Sequence, residues 1–239
     1  MADSIDIINI HRLNVHLPLH DQVATRLRTM LVEGHIEPGA KLNERVLCEQ
    51  LHVSRTPLRE AIKLLAVEGL VDLLPNRGAV AVKLTEADVM HSFEVLAGLE
   101  AMSGELAAAR ASDAERTEIR ATHYEMKAAF ARRDLSSYYR LNAAIHTAIN
   151  TAAGNPVLAA TYAHINARVQ SLRFRTNQNE AKWKVAMREH DQMVQALDAR
   201  DAPALRALLI QHLLHKRDTV LALLRAGEIY PAKPAALRG

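Results

Sequence analysis

The stretch Val53–Leu65, VSRTPLREAIKLL, combines a helix start with an amphipathic helix. Thr56 has a side chain that caps helix N-termini and Pro57 suits the first helical position, so the pair predicts that a helix begins here. One face carries apolar residues and the opposite face carries basic ones: Leu58, Ile62 and Leu65 against Arg55, Arg59 and Lys63. The stretch therefore predicts a helix with one buried side and one cationic side.

The sequence on either side of this helix completes a small domain. A helical apolar period runs from Leu17 until Gly34, and Asn43 caps a short second helix that ends before a tight turn. Downstream, two β-prone runs flank residues 75–78 and predict a hairpin. Helix, short helix, turn, helix and hairpin form a winged helix-turn-helix, whose third helix enters the major groove of DNA.

Basic residues cluster on the predicted DNA-facing side of this domain. Arginine bridges guanine O6 and N7 or holds a phosphate, and helix N-termini also suit phosphate. The candidate DNA-binding residues are Arg45, Arg55, Thr56, Arg59, Lys63, Arg77 and Gly78. A solvated basic helix face is the alternative interpretation of the spacing alone, and the predicted wing favours the DNA interpretation.

Composition points to a mostly α protein. Only 9 Gly and 8 Pro occur among 239 residues, and the formal net charge of +3 is too small to identify a nucleic-acid binder by itself. The single Cys48 cannot form an intramolecular disulfide. The acidic N-terminus lacks the features of a signal peptide, and no apolar run reaches about 18 residues. We therefore expect a cytoplasmic protein with no membrane association.

Beyond Lys83 no strand pattern returns, and breaks in the apolar periodicity predict six helices. The fold class is therefore mostly α, with an N-terminal winged helix-turn-helix and a C-terminal all-α six-helix bundle. The predicted organisation is an arm at 1–16, a DNA-binding domain at 17–84, an all-helical effector-binding and dimerisation domain at 85–229, and a tail at 230–239.

Four residues of the helical part form a candidate metal site. Asn142 and His146 are spaced i, i+4 and point the same way from one helix, and His190 and His212 lie among apolar residues on the last two helices. If those helices pack antiparallel, three imidazoles and one amide oxygen converge. Such a set suits a divalent metal, Zn²⁺ or Ni²⁺. The alternative is that these side chains are polar residues tolerated on helix faces and bind no metal.

The N-terminal domain resembles a known family. Four stretches are similar to the DNA-binding domain of GntR-family bacterial transcription regulators: 33–44 (EGHIEPGAKLNE), 53–61 (VSRTPLREA), 64–70 (LLAVEGL) and 76–78 (NRG). The similarity covers nearly all of residues 17–84. It implies that the family's DNA-contacting arginines fall on Arg45, Arg55 and Arg59, and that the wing-tip contact falls on Arg77 and Gly78.

The helical part is similar to the FCD ligand-binding domain of the FadR subfamily, through residues 142–146, the following Gly-Asn-Pro at 154–156 and the later histidines. Six helices rather than seven place it nearer the VanR-like group. The resemblance implies a divalent metal held by an Asp and three His, with a small organic acid sensed beside it. The matching positions here are Asn142, His146, His190 and His212.

Two positions depart from that pattern. Asn142 replaces the usual Asp, so the site carries one more unit of positive charge, which weakens metal binding and attracts an anionic effector. Leu96 stands four residues before Glu100, where many members carry an Arg. The identity of an effector-binding arginine is therefore undecided. Arg168 and Arg173 are the candidates, and the alternative is that both are solvated surface residues.

These observations predict a homodimeric repressor that binds a palindromic DNA operator and responds to an organic acid. Phe93, Leu96 and Leu99 of the first long helix are the candidate dimer interface, with intramolecular core as the alternative. A metal-dependent hydrolase is a second class, disfavoured because we find neither an HExxH pattern nor an acid paired with the histidines. A regulator whose histidines are only structural is the third.

Overall fold

The computed structural model describes residues 17–175 and 180–230, so the predicted arm at 1–16 and residues 231–239 of the predicted tail lie outside the described residues. The chain divides between Val82 and Lys83 into two compact units. The elements of the first unit are α1 (Leu19–Glu33), β1 (Lys41–Leu42), α2 (Glu44–Leu51), α3 (Arg55–Val67), β2 (Val71–Leu74) and β3 (Gly78–Ala81). Those of the second are α4 (Glu86–Arg110), α5 (Asp113–Ala131), α6 (Leu135–Ala152), α7 (Pro156–Arg175), α8 (Glu180–Asp198) and α9 (Ala202–Arg225).

The first unit is a winged helix-turn-helix. Its antiparallel sheet has the order β1-β3-β2, and the β2–β3 hairpin pairs Leu74 with Gly78 around the predicted turn. Asn43 is confirmed as the cap of α2, because its side chain accepts hydrogen bonds from the backbone nitrogens of Arg45 and Val46. The short strand β1 is not anticipated from the sequence, since two residues are too few to show alternation.

The start of α3 differs from the prediction. The helix begins at Arg55 with Ser54 as its N-cap, so Thr56 is not the cap and Pro57 is the third helical residue. The physical reason is that no backbone N–H in the first turn has an intrahelical partner, so proline is tolerated throughout that turn and does not fix the first residue. The shift places Arg55 inside the first turn.

The second unit is all-helical in its described part, which confirms the mostly α fold class. Thr85 and Ser112 begin α4 and α5 with capping boxes, each exchanging hydrogen bonds with an acid three residues later. The core includes Trp183, whose ring lies edge-on to Phe130 and Tyr138 with centroids 5.0 and 4.8 Å away. No helix of the described residues is long and apolar enough to cross a membrane.

Of the two interpretations of the candidate interface on α4, the intramolecular core is confirmed for Phe93 and Leu96, which are fully buried within the unit, while Leu99 is partly buried. Tyr230, the first residue of the predicted tail, has side-chain contacts within this unit. Its hydroxyl accepts a hydrogen bond from the Leu84 backbone nitrogen at 3.3 Å, and the Lys83 ammonium lies 5.0 Å from its ring centroid. A cation–π contact and a hydrogen bond therefore order a residue that composition alone assigns to the tail.

Gly104 is the point of close approach between α4 and α9, since an added Cβ there would collide with Leu209 and press on Leu205. We expect Gly104→Ala to lower the free energy of unfolding by about 1–3 kcal/mol through overpacking. The matched control is Gly98→Ala on the same helix, where nothing lies within 4 Å and the better helix former should add about 0.5–1 kcal/mol. Urea unfolding measures both, and equal effects would contradict the close approach.

Candidate nucleic-acid interface and metal centre

The predicted DNA-binding residues all lie on the surface of the first unit. Arg55, Thr56, Arg59 and Lys63 are exposed along α3. Arg45 at the start of α2 and Arg77-Gly78 at the wing tip line one cleft of about 460 Å³, together with Lys41, Leu42, Asn43 and Glu44. The structure thus brings the α2 arginine to the wing. Lys41, supplied by the unforeseen strand β1, is a further cation there.

Three of the five predicted basic residues form ion pairs with acidic side chains. The pairs are Arg59 with Glu44, Arg45 with Glu49, and Lys63 with Glu60. The first joins α3 to α2, with the Arg59 Nε atom 3.1 and 3.0 Å from the two Glu44 oxygens. Arg55 and Arg77 form no ion pair within 17–175 and 180–230. Water screens exposed pairs and leaves them weak, so phosphate or base edges can replace these acids.

In the second unit, three predicted ligands converge. His146 on α6, His190 on α8 and His212 on α9 have ring centroids 5.0–5.2 Å apart, and one nitrogen from each lies within 4.8 Å of the others. All three rings are buried, with at most 3% of each residue exposed. The expectation that these helices bring the three imidazoles together is confirmed.

Several nitrogens of these rings have no hydrogen-bond partner. They are His146 Nε2, His212 Nε2 and both ring nitrogens of His190, of which one can face the point that the three rings share. A buried polar atom left unsatisfied costs about 1–3 kcal/mol, so several at one point indicate a group that binds them. Imidazole nitrogens are preferred ligands of Zn²⁺ and Ni²⁺. The residues therefore fit a divalent ion, which His146, His190 and His212 would hold.

Two carboxylates orient two rings of this triad, and the sequence analysis missed both. Glu100 on α4 accepts a hydrogen bond from His146 Nδ1 at 2.9 Å, and Glu189 on α8 accepts one from His212 Nδ1 at 2.7 Å. The expectation that no acid pairs with the histidines is therefore wrong. The pairs are 46 and 23 residues apart in sequence, so no local spacing could reveal them.

Electrostatics sets the protonation of these groups. Burial raises the pKa of Glu189, but His212 and His215 more than offset this, so its pKa falls below the usual value. Burial lowers the pKa of His212 to about 4 and that of His190 well below its usual value. An ionised carboxylate only accepts hydrogen bonds, so the neutral His212 carries its proton on Nδ1 and a lone pair on Nε2, the form that binds metal.

The remaining predicted residues of the helical domain, Asn142, Arg168 and Arg173, differ from one another in burial. Asn142 is buried on α6, one turn before His146, and Arg168 is partly exposed on α7. Arg173 is only 3% exposed, so its interpretation as solvated surface is wrong. One guanidinium nitrogen donates to Asn166 Oδ1 at 2.6 Å, and the charge lies near Glu100. Arg173 is buried because α7 packs against α4, where the acid lies.

A winged helix with an exposed cationic recognition helix, followed by a helical domain with a buried polar centre, defines a DNA-binding transcription regulator rather than an enzyme. Residues 19–80 match the model of bacterial regulatory proteins of the gntR family, and residues 91–215 match the FCD domain. The chain belongs to the GntR family and carries an FCD domain.

Named relatives agree with this assignment. The chain is similar to the HTH-type transcriptional repressor RspR of Escherichia coli (25% identity, covering 87% of this chain and 92% of that one). It is also similar to the gluconate operon transcriptional repressor of Bacillus subtilis (26% identity, covering 92% and 90%). Among solved structures, E. coli McbR/YncC has the same fold, with a TM-score of 0.78 and 21% identity over 87% of this chain and 99% of that one.

Proposed function

We propose that this regulator represses transcription as a homodimer on a palindromic operator, and that a small organic acid bound beside a divalent metal in the helical domain changes its DNA affinity. The observation that carries the proposal is the convergence of the partnerless nitrogens of His146, His190 and His212. Two relatives named as repressors support the sign of regulation. The six helices found among the described residues of the second unit favour the VanR-like group.

In this proposal the metal supplies a positive centre that an anionic effector binds. The three histidines hold the ion, and Asn142, one turn from His146, adds a neutral amide instead of a carboxylate. Arg173 adds a buried guanidinium beside Glu100. The site thus favours an acid over a neutral metabolite. Arg55, Thr56, Arg59 and the wing tip contact DNA, with Arg45 and Lys63 on phosphates.

Metal binding is tested on the purified chain. We expect about one Zn²⁺ or Ni²⁺ per chain by elemental analysis, and a lower unfolding temperature after chelation, because an ion bound only to the native state stabilises it. His190→Ala should weaken metal binding and lower the metal content, whereas His164→Ala, at an exposed ring on α7, should preserve it. Equal metal content in the two variants would leave the triad a structural cluster.

A negative charge at position 142 should change the affinity for the metal and the affinity for the effector in opposite directions. Asn142→Asp should raise metal affinity, because a carboxylate neutralises the ion better, and should lower the affinity for an organic acid for the same reason. Calorimetric titration with Zn²⁺ and then with a panel of small carboxylic acids measures both. If an acid binds equally well after chelation, the metal is not its anchor.

DNA reading should depend on α3. We expect Arg59→Ala to cost about 1–3 kcal/mol per half-site and to relax base discrimination, since arginine reads guanine in the major groove. Lys63→Ala, one turn later, is the matched control and should mainly reduce the salt dependence. Operator titrations at fixed salt measure the effect. Unchanged affinity of the Arg59 variant would remove α3 as the recognition helix.

Dimerisation should involve the exposed face of α4, which carries Met90, Val95 and Met102. We expect a dimer by light scattering at micromolar concentration, and we expect Val95→Asp to shift it towards monomer. Val157→Asp, at an exposed valine of α7, should leave the dimer intact. A monomeric parent protein would contradict the proposal.

A further inference from the structure

We propose that Glu189 is a positioning residue for the metal site, which turns His212 Nε2 towards the ion and is itself held in place by His215. The inference rests on the proposed function of the histidine triad as a metal site. It concerns a residue outside the triad that no spacing in the sequence indicates.

Glu189 is committed to hydrogen bonds and is not free to bind the ion directly. Its Oε2 atom lies 2.7 Å from His212 Nδ1, and its Oε1 atom lies 2.5 Å from His215 Nδ1. Each carboxylate oxygen therefore has an imidazole donor. The side chain is 11% exposed, while that of His215 is 50% exposed, so the contacts run from the surface to the buried ring of His212.

Glu189 links the two helices that carry His190 and His212. It precedes His190 directly on α8, and its partners His212 and His215 lie three residues apart on one face of α9. The carboxylate thus ties α8 to α9 beside both ligands. By accepting the Nδ1 proton of His212, it fixes the ring orientation, makes Nε2 more basic and adds negative charge near the ion.

His146 has an equivalent partner in Glu100, whereas both His190 nitrogens are without a hydrogen bond within the described part of the chain. Asp198, on the same helix and nine residues from Glu189, instead pairs with Arg120 at 2.9 Å. Asp198 therefore provides a matched control, because its partner is an arginine of α5 and not a histidine of the triad.

The experiment uses the full chain stripped of metal by a chelator, with Zn²⁺ affinity measured by competition with a chromophoric chelator. We expect Glu189→Gln to weaken Zn²⁺ binding by about 10- to 100-fold, because loss of such a carboxylate partner has this effect in metal sites. Asp198→Asn should leave the affinity unchanged. Absorption of the Co²⁺-loaded protein should change in the Glu189 variant and not in the Asp198 variant.

A double-mutant cycle shows whether Glu189 acts through His212. Glu189→Gln should have little further effect on Zn²⁺ affinity in the His212→Ala background and its full effect in the His146→Ala background. Equal losses in both backgrounds, or no loss in the single variant, would overturn the proposal. If the parent chain binds no Zn²⁺, the metal site itself fails, and the positioning role fails with it.

Circular dichroism melting of the metal-free variants separates positioning from folding. Metal-free Glu189→Gln should melt close to the parent temperature, so its weaker Zn²⁺ binding reports on the site. If the Glu189→Gln variant is unfolded, the same measurements are made on His215→Ala, because the half-exposed ring of His215 contacts Glu189 on its solvent-facing side. We expect that variant to fold and to bind Zn²⁺ more weakly by a smaller factor, and unchanged binding would count against the proposal.

Discussion

Buried imidazole nitrogens without hydrogen bonds are the constraint around which the helical unit is arranged. Burial lowers the pKa of His190 and His212, and one nitrogen of each ring faces the same point as His146 Nε2, which also lacks a hydrogen-bond partner. A single water molecule has two hydrogens and can satisfy two such acceptors, whereas a cation satisfies all three. Because the rings come from α6, α8 and α9, one ion would relieve the cost on three helices together.

The charged side chains around the histidine triad are also compatible with a divalent ion. Glu100 and Glu189 would together balance the two charges of a divalent ion, and the buried guanidinium of Arg173 lies near Glu100. Asn142 brings no carboxylate to the site. In the proposed function, the neutral amide of Asn142 leaves the ion more positive than a carboxylate would, which favours an anionic effector over a neutral one.

How much the sequence could predict depends on whether the signal is local. Periodicity and capping residues such as Asn43 and Thr85 predict helices well, because each is decided within one turn. The convergence of the triad also follows, since His190 and His212 each lie on the apolar face of a helix. By contrast, the Glu100–His146 bond joins residues 46 positions apart, and only packing of α4 on α6 brings them together. Burial of Arg173 has the same origin, because a lone arginine on a helix carries no local sign of being inside.

In the proposed function, the ion pairs of the exposed basic residues on α2 and α3 affect DNA specificity. Glu44 holds Arg59 through both carboxylate oxygens, so any DNA that engages Arg59 must first replace that pair. A phosphate offers the guanidinium little beyond what the acid already gives, whereas guanine offers two acceptors in fixed positions within the major groove. Placing Arg59 on a phosphate therefore exchanges one anion for another and gains little. Arg55 and Arg77 form no ion pair among the described residues, so in the proposed function they can bind phosphates without displacing an acid. Specificity is a difference between affinities, and displacing Glu44 costs the specific and nonspecific complexes alike, so discrimination by Arg59 depends on the fixed geometry of the guanine edge.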